Sequence, residues 1–186
     1  MIKKEFKLGL LDFFTKKKND PKKETRPAEE PEMDIYQEAI RSFEENDFLG
    51  KAAREKDKAK LAMKEKDYSK AWRHFDEQRM NYIGHAERCG WGARDTMRLI
   101  GSVHQNFANI FRLEKRHKDA FVHLVYCLST DDRPSQGLKN KVKPYFNRLK
   151  LKNVTVDDAQ KYIDSLDHTV SMLSIQDELR KWIENE

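Results

Sequence analysis

Cysteine is almost absent from this chain: two occur in 186 residues. Two thiols do not make a disulfide framework, so stapled secreted scaffolds are set aside and a reducing cytoplasm is the expected setting. Glycine and proline are sparse as well, at seven and five, and they gather away from the periodic segments, as in a mostly helical chain. No apolar run approaches the ~20 residues that a bilayer span needs. The first residues lack the uninterrupted apolar core and small-residue cleavage site of a secretory signal. Also missing are a glycine-rich phosphate loop, His-Glu-x2-His and Gly-x-Ser-x-Gly, so no catalytic residue is assigned and no cofactor is implied. The expectation is a protein that binds rather than catalyses.

Charge is what the chain has in abundance. Charged residues make up 37% and hydrophobic ones 38%, with 37 basic against 32 acidic side chains and a pI near 9.0. One core with solvated tails fits that balance better than two domains. Residues 133–152 carry Arg133, Lys139, Lys141, Lys143, Arg148, Lys150 and Lys152 and no acid, whereas residues 24–48 and 153–186 are net acidic. Such blocks can neutralise one another within a fold or meet an anionic partner.

The chain is organised around two apolar segments between Met97 and Leu128. Ile100, Val103, Phe107, Ala108 and Phe111 share one helical face, and Ala120, Phe121, Leu124, Val125 and Leu128 share another. The polar run from Glu114 to Asp119 reads as the turn between them, and a short connection makes the two helices antiparallel neighbours. Upstream, Asp34 is a candidate N-cap for a helix through Ile35, Tyr36, Ala39, Ile40 and Phe43, ending near Asn46. An alanine-rich segment follows from Phe48 to Lys66. Ser69 can cap the next helix, whose stripe is Trp72, Phe75, Tyr82, Ile83 and Ala86, broken by Cys89-Gly90-Trp91-Gly92. Downstream, Ser135 can cap a basic segment interrupted at Pro144, and Thr155 with Asp158 three residues later resembles a capping box with Asp in place of Glu. A last helix through Ala159, Ile163, Leu166, Val170 and Leu173 would close the helical stack, with Leu179, Trp182 and Ile183 ending the chain.

Residues 1–18 set Ile2, Phe6, Leu10, Phe13 and Phe14 at helical spacing among lysines. They suit a basic amphipathic helix that contacts an anionic membrane or a partner, the alternative being a short helix folded back on its own domain or a frayed tail. Residues 19–33, with Pro21, Pro27 and Pro31, read as a disordered linker, leaving 34–186 as the helical domain.

Phe107-Ala108-x2-Phe111, followed by Ala120-x3-Leu124, resembles the tetratricopeptide repeat. A weaker copy is Ala59-x2-Ala62 followed by Ala71-x3-Phe75, with Ala71 and Ala120 lying 49 residues apart instead of that family's 34. The resemblance covers about residues 52–134. It implies an all-α, tetratricopeptide-like stack of antiparallel hairpins with a C-terminal capping helix and a flexible N-terminal tail. It also implies a concave groove. Carried over through the match, the groove positions are Ala53, Lys56, Lys60 and Met63 from the first hairpin and Ser102, Gln105, Asn109 and Arg112 from the second. Lys56, Lys60 and Arg112 beside Gln105 and Asn109 would suit a carboxylate-bearing peptide or protein. The expected function is that of a non-enzymatic adaptor, cytoplasmic or peripheral to a membrane. The alternative is a membrane-surface or nucleic-acid-binding protein driven by the basic blocks.

Two further constellations are present. His85-x3-Cys89 and His123-x3-Cys127 each place a histidine and a cysteine on one helical face, so together they could supply four zinc ligands. Against this, Cys127 falls on an apolar stripe, where cysteine serves as a small hydrophobe. Tyr145 and Phe146 lie within the basic stretch, a combination that can stack bases and track phosphates. Both also fall on that segment's own core face, and the acidic blocks count against a nucleic-acid partner.

Overall fold

In a computed structural model of the protein, residues 32–185 are described, and every regular element among them is helical. Two units divide within the first helix, after Ile40. The expected contact residues Ile2, Phe6, Leu10, Phe13 and Phe14, and the linker as far as Pro31, lie outside the described residues.

Helix α1, Glu32–Asn46, begins two residues before the expected Asp34 cap. Its apolar stripe is not buried: Ile35, Tyr36, Ile40 and Phe43 are 58–75% exposed.

The larger unit is built from hairpins. Helices α2 (Phe48–Lys64) and α3 (Tyr68–Arg88) form the first, and α4 (Ala93–Leu113) and α5 (His117–Ser129) the second. The main packing follows chain order, α2 on α3, α3 on α4 and α4 on α5. Small residues set the first interface. Ala52, Ala59, Ala62 and Ala71 are fully covered, so the α2 and α3 backbones approach closely, and a Cβ on Gly84 would come within 2.7 Å of the Phe48 ring. The second hairpin carries the large side chains: Val103, Phe107, Ile110, Phe121, Leu124 and Val125 are all buried. The expected pairing of the two apolar stripes is therefore found.

Both hairpins reverse by the same device. Lys66 and Lys115 adopt left-handed backbone at φ 61° and 63°. Asp67 N–H then reaches Ala62 O at 2.9 Å, and Arg116 N–H reaches Phe111 O at 2.8 Å. These are Schellman-type caps, which satisfy carbonyls left over at a helix end. Gly90 repeats the geometry between α3 and α4 at φ 63°. The cap of α3 is Asp67, accepting from Lys70 N–H at 2.9 Å, and not Ser69 as the sequence suggested.

Short helices cover one side of α5. They are α6 (Gln136–Lys139), α7 (Val142–Phe146), a single 3₁₀ turn (Asn147–Leu149), α8 (Val156–Ser165) and α9 (Met172–Glu184). Ser135 caps α6, and Thr155 with Asp158 makes both bonds of the capping box. The single closing helix expected after Thr155 is two. The backbone N–H and hydroxyl of Thr169 both donate to Asp167 Oδ1, at 2.8 and 2.6 Å, fixing a turn that ends one helix before Ser171 caps the next. Leu173 is consequently exposed. Trp182 of α9 meets Phe121, Phe146 and Tyr162 at ring separations of 6.3, 6.3 and 5.4 Å, so one side chain joins α5, α7, α8 and α9.

Candidate functional site

The turn of each hairpin lies beside the other. Between the first turn of α3 and the last turn of α4 is a cavity of about 380 Å³, lined by Tyr68, Ser69, Trp72, Arg73, Ile110, Phe111, Glu114 and Arg116. Its position follows from topology: α3 and α4 run antiparallel, so the start of one meets the end of the other. Trp72 and Phe75 are three residues apart on α3, and both contact Phe107, at ring separations of 5.4 and 6.4 Å. Phe75 is buried by that contact, whereas Trp72 remains 38% exposed at the cavity wall.

The charges at the rim differ in their freedom. The Arg116 guanidinium lies 4.3 Å from the centre of the Phe111 ring and is neutralised by Asp119 at 2.8 Å and Glu114 at 4.0 Å. Arg73 is exposed and has no ion-pair partner among the described residues. Aromatic walls and an exposed guanidinium without an ion-pair partner among the described residues together suit an apolar side chain adjoining a carboxylate.

The sequence-derived groove residues lie elsewhere. Lys56 and Lys60 project from α2, Lys60 pairing with Asp57 at 3.0 Å. Gln105, Asn109 and Arg112 are half-buried on α4, where Arg112 donates to Asn109 Oδ1 at 2.7 Å. Ser102 donates to Leu99 O within its own helix. No hydrogen bond or ion pair links the α2 set with the α4 set among the described residues, and the cavity at the turns is lined by neither. The residues that do line it were hidden by their apparent duties. Trp72 falls on a stripe read as core, and Arg116 in a run read as turn.

The four candidate zinc ligands do not converge. Cys89 Sγ lies 3.7 Å from His85 Nε2 at the exposed end of α3. His123 is packed among His104, Phe107 and Phe111. Cys127 is buried, and burial, with Asp131 adding to it, pushes its thiol up to about 11. Among the described residues no group of three or more candidate ligands could hold a metal ion. Tyr145 and Phe146 are also buried, so neither can stack on a base. Asp131 and Asp132 face Arg98 and Arg94 at 3.7 and 2.7 Å, and Asp158 closes the capping box, so these acids have local partners.

No helix among the described residues is long and apolar enough to cross a membrane. No family model, curated protein or solved structure matches the chain.

Proposed function

We propose that this chain is a non-enzymatic, cytoplasmic binding module that captures an acidic peptide segment of another protein. In this reading the two hairpins form a tetratricopeptide-like stack, and the cavity where their turns meet is the docking point. The supporting observation is the pairing of a partly exposed Trp72 with the uncompensated Arg73 on one helix turn. Tryptophan and arginine, with tyrosine, dominate the residues that carry protein–protein binding energy. An apolar side chain would seat against Trp72, Tyr68 and Phe111, and an adjoining carboxylate would meet Arg73.

The test is selection from a displayed peptide library, followed by fluorescence anisotropy with the selected peptides. Trp72→Ala should weaken binding by about 30-fold, the ratio that ~2 kcal/mol represents. Arg73→Glu should weaken it comparably and reverse the preference for acidic sequences. Peptides that bind both variants as well as the parent protein would dismiss the cavity as the site. Thermal denaturation of each variant separates lost binding from lost fold.

One observation favours a second, electrostatic reading. Arg133, Lys139, Lys141, Lys143, Arg148 and Lys150 have no ion-pair partner among the described residues, and of the acidic block Asp164 and Asp167 line a pocket with Lys139. With Tyr145 and Phe146 buried, these cations would meet an anionic surface through charge alone. Such binding fades steeply between 50 and 200 mM salt.

A further inference from the structure

The exposed face of α1 has no cover among the described residues. Ile35, Tyr36, Ala39, Ile40 and Phe43 fall within an arc of about 140° at 100° per residue. The four large ones are 58–75% exposed. Fifteen residues is near the length at which a helix alone is marginal in water. A helix of that length showing four large apolar side chains to solvent calls for a partner, since burying each would contribute about 1.5–3 kcal/mol.

The rest of the helix says what charge that partner carries. Glu38 and Glu44 flank the stripe on its two sides, and Glu45 with the single Arg41 lies on the opposite side of the helix. A second copy of α1 would bring acid against acid along the length of a helix pair. A complementary segment must instead be amphipathic and basic, and residues 1–18 of this chain are both. Ile2, Phe6, Leu10, Phe13 and Phe14 fall within about 120° of helical arc, among Lys3, Lys4, Lys7, Lys16, Lys17 and Lys18. The tether is long enough. The 13 residues between Lys18 and Glu32 reach up to about 43 Å, whereas α1 is only about 22 Å long. A tether of this length supplies the segment at roughly millimolar effective concentration.

From this match of apolar arc, charge and reach we infer that residues 1–18 dock on the exposed face of α1 in the same molecule. Ile35, Tyr36 and Ile40 provide the apolar seat, and Glu38 and its neighbours receive the lysines. An anionic membrane and a second copy of the chain are the competing occupants, and the experiment distinguishes them.

Hydrogen–deuterium exchange of the full chain, read over Ile35–Phe43 at several protein concentrations, provides the test. Phe6→Asp/Phe13→Asp should speed exchange in α1 at least tenfold. Ile40→Asp should do the same, and all three together should do no more. Lys3→Glu/Lys4→Glu/Lys7→Glu should give a smaller acceleration that 0.5 M salt reproduces in the parent chain. Protection that is independent of concentration in a monomer of the expected mass supports the inference. Protection that falls on dilution assigns the face to a second copy and overturns it. Exchange in α1 that is equal in the parent chain and Phe6→Asp/Phe13→Asp overturns it outright. If vesicles of phosphatidylserine and phosphatidylcholine sediment the parent chain through Phe6 and Phe13 without changing exchange in α1, the segment belongs to membranes and the inference fails.

Discussion

At the scale of single residues, the interior holds a histidine pair that sets an acid limit on stability. His104 stacks on His123 with 4.9 Å between centroids and lies 4.5 Å from the Tyr126 ring. Burial, then the neighbouring His123 and Arg79, pushes His104 down to about 3. Burial holds His123 at about 4, with Asp119 opposing the shift and Arg116 adding to it. In the unfolded chain both titrate near 6.5, so below that pH the unfolded state binds protons that the folded state refuses. Stability is therefore fully present above pH 6.5 and declines as the pH falls toward 3, by up to about 2.7 kcal/mol per pH unit while both sites differ. Urea denaturation midpoints between pH 7 and 4 should trace this decline, and His123→Phe should reduce its slope by one proton. Gly101 offers a second residue-level test. A Cβ there would meet Thr130 Oγ1 at 1.8 Å and Thr130 Cβ at 2.8 Å, and Thr130 is buried with its hydroxyl donating to Tyr126 O and Cys127 O. Gly101→Ala would gain about 1 kcal/mol of helix propensity but must displace Thr130. Overpacking costs about 1–3 kcal/mol, so a lowered melting temperature is expected, partly restored by adding Thr130→Ala.

At the scale of elements, turns and caps were partly legible. The capping box of α8 and the cap of α6 could be read from side-chain identity, because a serine or threonine three residues before a helical N–H has only local work to do. The cap of α3 could not be: Asp67 and Ser69 are both good cap residues, and the choice depended on where the α2 turn released the chain. Asp67→Ala should cost about 1 kcal/mol, whereas Ser69→Ala, inside the helix where alanine is the better former, should cost nothing, a difference measurable by chemical denaturation. The left-handed lysines of the two hairpin turns provide a test with the opposite sign. Lys66 and Lys115 occupy the backbone region that glycine enters freely, as Gly90 does in the same cap. Lys115→Gly should therefore raise stability by about 0.5–1 kcal/mol, unlike most substitutions to glycine. The break between α8 and α9 went unseen because Leu166, Val170 and Leu173 keep helical spacing across it. The Asx turn at Asp167–Thr169 wins locally and leaves Leu173 in water.

At the scale of the whole molecule, the second hairpin is the anchor and the C-terminal helices are fastened to it. Leu124 is fully buried at the centre of that packing, and Leu124→Ala should cost about 2–5 kcal/mol. Trp182 reaches three rings and donates from Nε1 to Glu178 Oε1 at 2.9 Å. Trp182→Ala should cost about 3 kcal/mol and loosen α7 to α9 together, seen as faster amide exchange over residues 142–184. Helical content, the central hairpin and its antiparallel sense were all determined by the sequence, because apolar spacing is a local property that one chain segment carries alone. What covers each apolar face was decided only by tertiary structure. Phe75 and Trp72 lie three residues apart on one stripe, yet one is enclosed and the other lines a cavity. Ile35, Ala39 and Phe43 repeat at the same step of four as Val103 and Phe107, yet no described residue covers Ile35 or Phe43. Periodicity specifies that a helix has a greasy side, but the neighbour that meets it comes from distant parts of the chain, and the candidate site exists where that neighbour falls short.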